Sequence, residues 1–172
     1  MNTYIALFRG INVGGNNILP MKDLVAILQA LGYEGVQTYI QSGNAVFKSR
    51  ETIDAKGAAD ISREIFKKMG FEPKVLLLSH KQLQEAIKNN SFPTNDGKAL
   101  HFFFLEQPCS KPNIDYLESL KIESEKFKLH KMTFYLYAPE GVGRSKLAAA
   151  TGKALGVSLT ARNWNTVNKL RL

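Results

Sequence analysis

The fold is decided first by residues 4–32, YIALFRGINVGGNNILPMKDLVAILQALG. They open with Tyr4–Phe8, a short run of strand-favouring residues, and continue into a stretch rich in glycine and asparagine. Pro20 suits the first turn of a helix, and apolar residues then recur with helical spacing. The pattern predicts a strand, a glycine loop and a helix that Gly32 ends, with a core-facing stripe of Leu24, Ile27, Leu28 and Leu31.

Three more strands and a second helix are predicted up to residue 78. Strands at 36–41 and 44–47 flank a short turn in which Gly43 supplies a positive φ. Thr52 is predicted to cap a helix that ends at Gly70, and 74–78 is predicted as a strand. The apolar face of this helix is predicted to consist of Ile61, Ile65, Phe66 and Met69.

The second half repeats this order of elements. Ser79 and Gln82 have capping-box spacing and open a connector helix. Helices are predicted from Pro112 and after Gly143, and strands at 100–105, 127–130, 132–137 and 157–160. We therefore predict an α+β fold with two ferredoxin-like βαββαβ units in tandem, a duplicated architecture. The units are predicted at 1–78 and 79–172, the second with the connector helix and a C-terminal helix, and together they form one domain.

Composition is typical of a folded globular protein and excludes a disordered or fibrous chain, since 44% of the 172 residues are hydrophobic and 22% are charged. Lysine and arginine exceed aspartate and glutamate by 23 to 15, a net charge of +8. Residues 1–86 hold 10 basic and 8 acidic side chains, and 87–172 hold 13 and 7, so the halves carry +2 and +6. This excess favours an anionic small molecule or nucleic acid as partner. It indicates no oligomeric state and no particular cofactor.

The expected location is the cytoplasm. Cys109 is the single cysteine, so no internal disulfide forms and a reducing compartment fits. The apolar run Tyr4–Phe8 is closed by Arg9 and is far too short for a signal peptide core or a membrane span. We expect no membrane association.

The loop from Arg9 to Asn16 joins a strand to a helix, a place where backbone N–H groups can hold an anion. Its glycines match neither the dinucleotide fingerprint nor a Walker loop. A tight turn and a ligand loop both remain open as interpretations. Ser42-Gly43-Asn44 is either a plain turn or part of the same site, and we expect it at the sheet edge away from the glycine loop.

Residues 160–166 form the densest polar cluster of the chain. Arg162 is suited to a carboxylate or phosphate, and Trp164 to stacking on a ring. The alternative is that Asn163 caps a short terminal helix while Trp164 fills the core. Gly141–Lys146 is interpreted as a basic helix start, with contact to an anion as the alternative.

No catalytic residue and no metal site are predicted. The three histidines are scattered, and no paired-cysteine or nucleophile-elbow pattern is present. Strand aromatics either line an RNA-binding sheet or belong to the core: Phe102, Phe104, Phe134, Tyr135 and Tyr137.

Three segments, at 6–15, 39–44 and 162–166, together resemble the signature segments of the bacterial domain of unknown function 1697 family. Phe8 stands where that family often has Leu, a conservative change. The resemblance implies the duplicated α+β fold and brings no established activity with it. A signature built from polar residues and glycine indicates a polar site, so the candidate ligand contacts are Arg9, Asn12, Gly14, Gly15, Ser42, Asn44, Arg162, Asn163, Trp164 and Asn165.

Three functions fit these residues. The first is binding of a phosphorylated, nucleotide or nucleic-acid ligand. The second is an enzyme acting on a small anionic substrate, with Ser42 as nucleophile, although the signature segments contain no histidine or carboxylate to activate it. The third is a purely structural hydrogen-bonded network. Under the first two, we predict that the three segments meet in one solvent-open cleft.

Overall fold

The computed structural model describes residues 1–39 and 43–171. They divide into two compact units, Met1–Glu85 together with Arg171, and Ala86–Leu170. Each unit contains its own four-stranded sheet. The candidate residue Ser42 and the predicted strand end at Gln41 lie outside the described residues.

The first unit has the element order βαββαβ. Its elements are β1 (Asn2–Arg9), α1 (Met21–Ala30), β2 (Glu34–Tyr39), β3 (Asn44–Ser49), α2 (Ala55–Met69) and β4 (Lys74–Ser79). The strands lie in the order β2-β3-β1-β4, and every pairing is antiparallel. This is the ferredoxin-like arrangement that the sequence predicts.

The second unit repeats the arrangement. The connector α3 (His80–Lys88) leads to β5 (Leu100–Leu105), α4 (Ile114–Leu120), β6 (Lys126–His130), β7 (Thr133–Tyr137), α5 (Lys146–Leu155), β8 (Leu159–Asn163) and α6 (Trp164–Leu170). The strand order β6-β7-β5-β8 is again fully antiparallel. The prediction of two similar α+β units in tandem is therefore confirmed.

Two predicted boundaries are wrong. Asp54, not Thr52, caps α2, because its Oδ1 accepts a hydrogen bond from the Lys56 N–H at 3.0 Å. The last strand was expected at 157–160 but covers Leu159–Asn163, since its pairing with β5 extends to Asn163 opposite His101. Arg162 and Asn163 consequently belong to a strand.

The predicted helix ends and the capping box are correct. Gly70 ends α2 in the left-handed conformation at φ 84°. Ser79 Oγ accepts from the Gln82 N–H at 3.1 Å, and Gln82 Oε1 accepts from the Ser79 N–H at 2.8 Å. Reciprocal bonds of this kind satisfy two backbone donors at the start of α3.

The core of the first unit lies between one face of its sheet and two helices. Alternate residues of β1 point into it, and α2 contributes Ile61 and Ile65, both fully buried. Phe66 was expected on that face but is 50% exposed, because one residue of helix turns it about 100° away from Ile65. The buried cluster also contains Tyr4, Ala6, Phe8, Leu24, Ile27, Leu28, Ala45 and Phe47.

The core of the second unit is built the same way. Phe103 and Leu105 of β5 face α4 and α5, and Phe134 of β7 packs edge-on against Phe103 with ring centroids 5.6 Å apart. Side chains at even positions of β5 therefore point to the opposite face of the sheet.

Within the described parts of the chain, no helix has both the length and the apolarity needed to cross a bilayer.

Replacement of Leu28 by alanine is expected to lower the free energy of unfolding by about 2–5 kcal/mol, through lost burial and the cavity left behind. Leu28 is fully buried on α1, whereas its neighbour Gln29 is exposed. Gln29→Ala is the matched control and is expected to change stability by no more than about 0.5 kcal/mol. Urea unfolding followed by far-UV circular dichroism measures both. Equal losses in the two variants would contradict the assigned core.

Candidate functional site

The glycine loop and the hairpin turn of the first unit lie side by side. The Phe8 N–H donates to the Gly43 carbonyl at 2.9 Å, and Leu7 stands opposite Asn44 in the β1–β3 ladder. We expected this turn at the edge away from the loop, and that expectation is wrong. Because β1 and β3 are antiparallel, the end of β1 lies beside the start of β3.

The glycine loop is a small hairpin of its own. Val13 and Asn16 form an isolated bridge, with the Asn16 N–H donating to the Val13 carbonyl at 3.0 Å. Gly14 and Gly15 occupy the tip with φ of 58° and 76°, the left-handed region that a type I′ turn requires. Both glycines are exposed. The expected tight turn is therefore present, and it holds the two candidate glycines at the surface.

Asparagine side chains hold the base of this hairpin. Asn12 Nδ2 donates to the Leu19 carbonyl at 2.9 Å, while Asn12 Oδ1 accepts from the Leu19 N–H at 2.7 Å. Asn17 Nδ2 donates to the Gly10 carbonyl at 2.9 Å. Asn12 and Asn17 also adopt positive φ, a conformation that asparagine tolerates better than most residues. The side chain of Asn12 thus orders the loop.

The two remaining described candidates of the first unit lie in its strands. Asn44 is fully buried at the start of β3, and its Nδ2 donates to the Tyr39 carbonyl at 2.9 Å. Arg9 ends β1 opposite Lys74 and is half-buried. Both therefore flank the place where the loop meets the turn.

In the second unit, the polar segment spans the end of β8 and the start of α6. Asn163 Oδ1 accepts from the Thr166 N–H at 3.0 Å, so Asn163 caps α6. Arg162 Nη1 donates to the Ala161 carbonyl at 2.9 Å. The Trp164 ring lies 5.8 Å from that of Phe102. Asn163 thus caps α6 as the structural alternative expects, whereas Trp164 is only half-buried and does not belong to the buried core.

Two residues near this segment were not singled out from the sequence. A Cβ on Gly97 would lie 1.9 Å from Asn165 Oδ1, so only glycine allows Asn165 to approach the backbone there. His101 stands opposite Asn163, and its buried Nδ1 has no hydrogen-bond partner among the described residues. A glycine in a polar loop and one histidine in an apolar strand are weak signals, which explains why neither was identified.

Of the two alternatives for the strand aromatics, an RNA-binding surface or the core, burial favours the core for four of the five. Phe102, Phe104 and Tyr135 are each at most 2% exposed. Tyr135 Oη donates to the Ala86 carbonyl at 2.5 Å, and burial raises the pKa of Tyr135 to about 12. Phe134 points to the opposite, helix-facing side. Of the five aromatic residues, Tyr137 alone is half-buried.

The candidate residues fall into two groups, one in each unit. Arg9, Asn12, Gly14, Gly15 and Asn44 gather at one end of the first sheet. Arg162–Asn165 lie at the junction of β8 and α6. That the groups share one cleft stays a prediction. Within residues 1–39 and 43–171, no cluster of three or more metal-ligating side chains occurs.

A ferredoxin-like duplication with a polar glycine-loop signature defines a class of α+β protein, and comparisons with known proteins identify its family. The model of the family described as protein of unknown function (DUF1697) matches residues 1–135, so the chain belongs to this family. The solved structure of the conserved bacterial protein SP0830 from Streptococcus pneumoniae is similar, with 25% identity, a TM-score of 0.71 and coverage of 99% of this chain and 97% of that one. No curated protein that was compared matches the chain.

Replacement of Gly43 by alanine tests the contact between the turn and the loop. At φ 100°, an added Cβ would lie 2.7 Å from Phe8 Cβ and 2.9 Å from Ile11 Cδ1. Gly14→Ala is the matched control, because Gly14 also has positive φ but nothing within 4 Å of an added Cβ. We expect a loss of about 1 kcal/mol for Gly14→Ala, and about 1–3 kcal/mol more for Gly43→Ala. Equal losses in urea unfolding would show that the turn does not pack on the loop.

Stability is also expected to depend on pH through His101. Burial lowers its pKa from the ordinary value of 6.5. As the pH falls below about 6.5, His101 becomes protonated more readily in the unfolded chain than in the folded chain, so the free energy of unfolding decreases. His101→Phe removes this slope, whereas His130→Gln on the edge strand retains it. Urea unfolding at pH 7.5, 6.5 and 5.5 measures the slopes, and an unchanged slope in His101→Phe contradicts the assignment.

Proposed function

We propose that this protein binds single-stranded nucleic acid, and that the basic edge of its second unit makes the contact. The basic edge consists of Lys126, Lys128 and His130 of β6 with Lys131 in the following turn. β6 is one of the two edge strands of its sheet. Of the anionic partners expected from the sequence, the proposal selects nucleic acid, a polymer of phosphates.

The observation that carries the proposal is the alternation along β6. Phe127 and Leu129 pack against the helix-facing core, so Lys126, Lys128 and His130 all lie on the other face. Both lysines are exposed and His130 is half-buried. In an extended strand, alternate residues lie about 6–7 Å apart, close to the spacing of phosphates along a nucleic-acid strand.

No acid of the described residues neutralises these lysines. The observed ion pairs are Arg50–Glu34, Arg63–Asp60 and Lys67–Glu64, all in the first unit. Lys126, Lys128 and Lys131 take part in none of them. Their charge is therefore available to phosphates, which agrees with the excess of six positive charges in residues 87–172.

A pair of aromatic rings borders the basic edge. Tyr137 stands directly opposite Lys126 in the β6–β7 ladder and stacks on Phe92 with ring centroids 6.3 Å apart. Both rings are half-buried, so part of each faces solvent. Stacking of a base on such a ring tolerates any sequence. Because the neighbouring Tyr135 is covered, contact is limited to this margin of the sheet, and we expect modest affinity.

The proposal places the protein in the cytoplasm, where nucleic acid is abundant. Its one cysteine supports this placement, since Cys109 is a free thiol that donates to the Leu155 carbonyl at 3.0 Å. The enzymatic alternative depends on Ser42, which lies outside the described residues, and the structure adds no observation in its favour.

Binding of a fluorescein-labelled oligo(dT) should fall steeply with salt, with a logarithmic slope of about −0.7 for each phosphate contacted. Replacement of Lys126 and Lys128 together by glutamine is expected to reduce this slope by about 1.4. Fluorescence anisotropy titrations between 50 and 200 mM salt, about the range where counterion release is resolved, measure the effect.

The control removes the same number of charges elsewhere. Lys67 and Lys68 lie in the last turn of α2 in the first unit, and their double glutamine variant should leave the slope nearly unchanged. Lysines on edge strands also prevent strand-to-strand association. If the Lys126/Lys128 variant self-associates in analytical ultracentrifugation while its monomer binds oligo(dT) as before, the lysines serve only that purpose and the proposal is wrong.

A further inference from the structure

The duplicated fold places a cavity at the same position in each unit. Each cavity lies where the first helix ends, the third strand ends and the second helix begins. In the first unit it encloses about 500 Å³ beside Tyr33, Ser49 and the start of α2. In the second it encloses about 430 Å³ beside Lys121, Gly141 and the start of α5. Both volumes suit a small molecule.

The charged side chains around the first cavity are largely engaged with the protein itself. Arg50 pairs with Glu34 at 3.3 Å, and Asp60 pairs with Arg63 at 3.0 Å. Asp54 accepts from the Lys56 N–H as the cap of α2. This cavity therefore offers few charges to a ligand.

The second cavity has a buried carboxylate in its wall. Glu125 is only 2% exposed and lines the cavity. Its Oε1 accepts from the Ile122 N–H at 3.2 Å, and among the described residues it forms no ion pair with any lysine, arginine or histidine. A buried carboxylate is costly without a compensating positive charge. A cationic nitrogen of a ligand in the cavity would supply the positive charge that the described residues do not pair with Glu125.

The mouth of this cavity is basic. Arg144 and Lys146 line it and are exposed, and the half-buried Lys121 lines it from the end of α4. Glu140 also lines the cavity, but its carboxylate accepts a hydrogen bond from Ser124 Oγ. Three cations outnumber the one exposed carboxylate, Glu140, so this part of the lining favours an anionic group. The lining thus combines a buried carboxylate with exposed cations.

We propose that the cavity of the second unit binds a small zwitterion, such as an amino acid. The ammonium group of the ligand contacts Glu125, and its carboxylate lies against Arg144 and Lys146. The lining of this site contains no residue of the basic edge, and the proposal does not depend on nucleic-acid binding. The segment Gly141–Lys146 starts α5, as interpreted from the sequence, with Ser145 Oγ accepting from the Ala148 N–H at 3.0 Å. The proposal adds contact with an anion to that role.

The test is isothermal titration calorimetry on the full chain with three zwitterions that differ in charge separation: glycine, 4-aminobutyrate and 6-aminohexanoate. Butylamine and butyrate each carry one of the two charges and serve as matched probes. We expect at least one zwitterion to bind roughly tenfold or more tightly than either single-charge probe, because each lost charge-assisted contact weakens binding by that order. Absence of heat with all three zwitterions at millimolar concentration would overturn the proposal.

Variants assign the two ends of the site. Glu125→Gln and Arg144→Gln are each expected to lower the affinity for the zwitterion that binds the wild type by roughly tenfold to a hundredfold. Lys56→Gln, at the equivalent cavity of the first unit, should bind as the wild type does. Arg144 is exposed, so its variant stays folded even if Glu125→Gln does not, and circular dichroism checks both. If a zwitterion binds both Arg144→Gln and a folded Glu125→Gln with wild-type affinity, it binds elsewhere and the proposed site is wrong.

Discussion

Each sheet is held together by two central strands that are hydrogen-bonded on both sides, β1 and β3 in the first unit and β5 and β7 in the second. β1 pairs with β3 and β4, and β5 pairs with β7 and β8, always antiparallel. This pairing decides which chain ends meet at each end of a sheet. It brings Gly43 beside Phe8 in the first unit, and it brings Asn163 opposite His101 in the second. The positions of all the polar segments follow from the pairing of β1 and β5.

Sequence patterns predict most of the fold because hydrophobic spacing and helix caps are local. The stripe of α1, the capping box at Ser79 and the left-handed end at Gly70 each depend on residues a few positions apart. The wrong predictions depend on longer-range pairing or on a choice between neighbours. The pairing of β8 with β5 extends the strand to Asn163. Asp54 caps α2 instead of Thr52, which lies two residues earlier.

The candidate site is less predictable, since the sequence does not show what a polar side chain contacts. Asn12 and Asn163 were marked as ligand contacts, yet both bond to nearby backbone N–H or C=O groups. Asparagine serves both purposes because its amide donates and accepts at once. By contrast, the alternation of Lys126 and Lys128 with Phe127 is visible in the sequence. That this alternation lies on an edge strand could be seen only from the strand order, which places β6 at the edge of its sheet.

Duplication explains how one fold holds two differently charged units. Both units need the same apolar faces, so their cores and strand orders stay alike. Edges and cavity walls lie outside that requirement and are free to change. The outer strand of the first unit begins with Glu34, which pairs with Arg50, whereas β6 carries lysines with no acidic partner in the described residues. Glu125 differs from both, because it is buried and its carboxylate accepts a hydrogen bond from the Ile122 N–H without an ion pair among the described residues. Among the described residues, the lysines of β6 and the buried Glu125 take part in none of the observed ion pairs, which is why both proposed binding surfaces lie in the second unit.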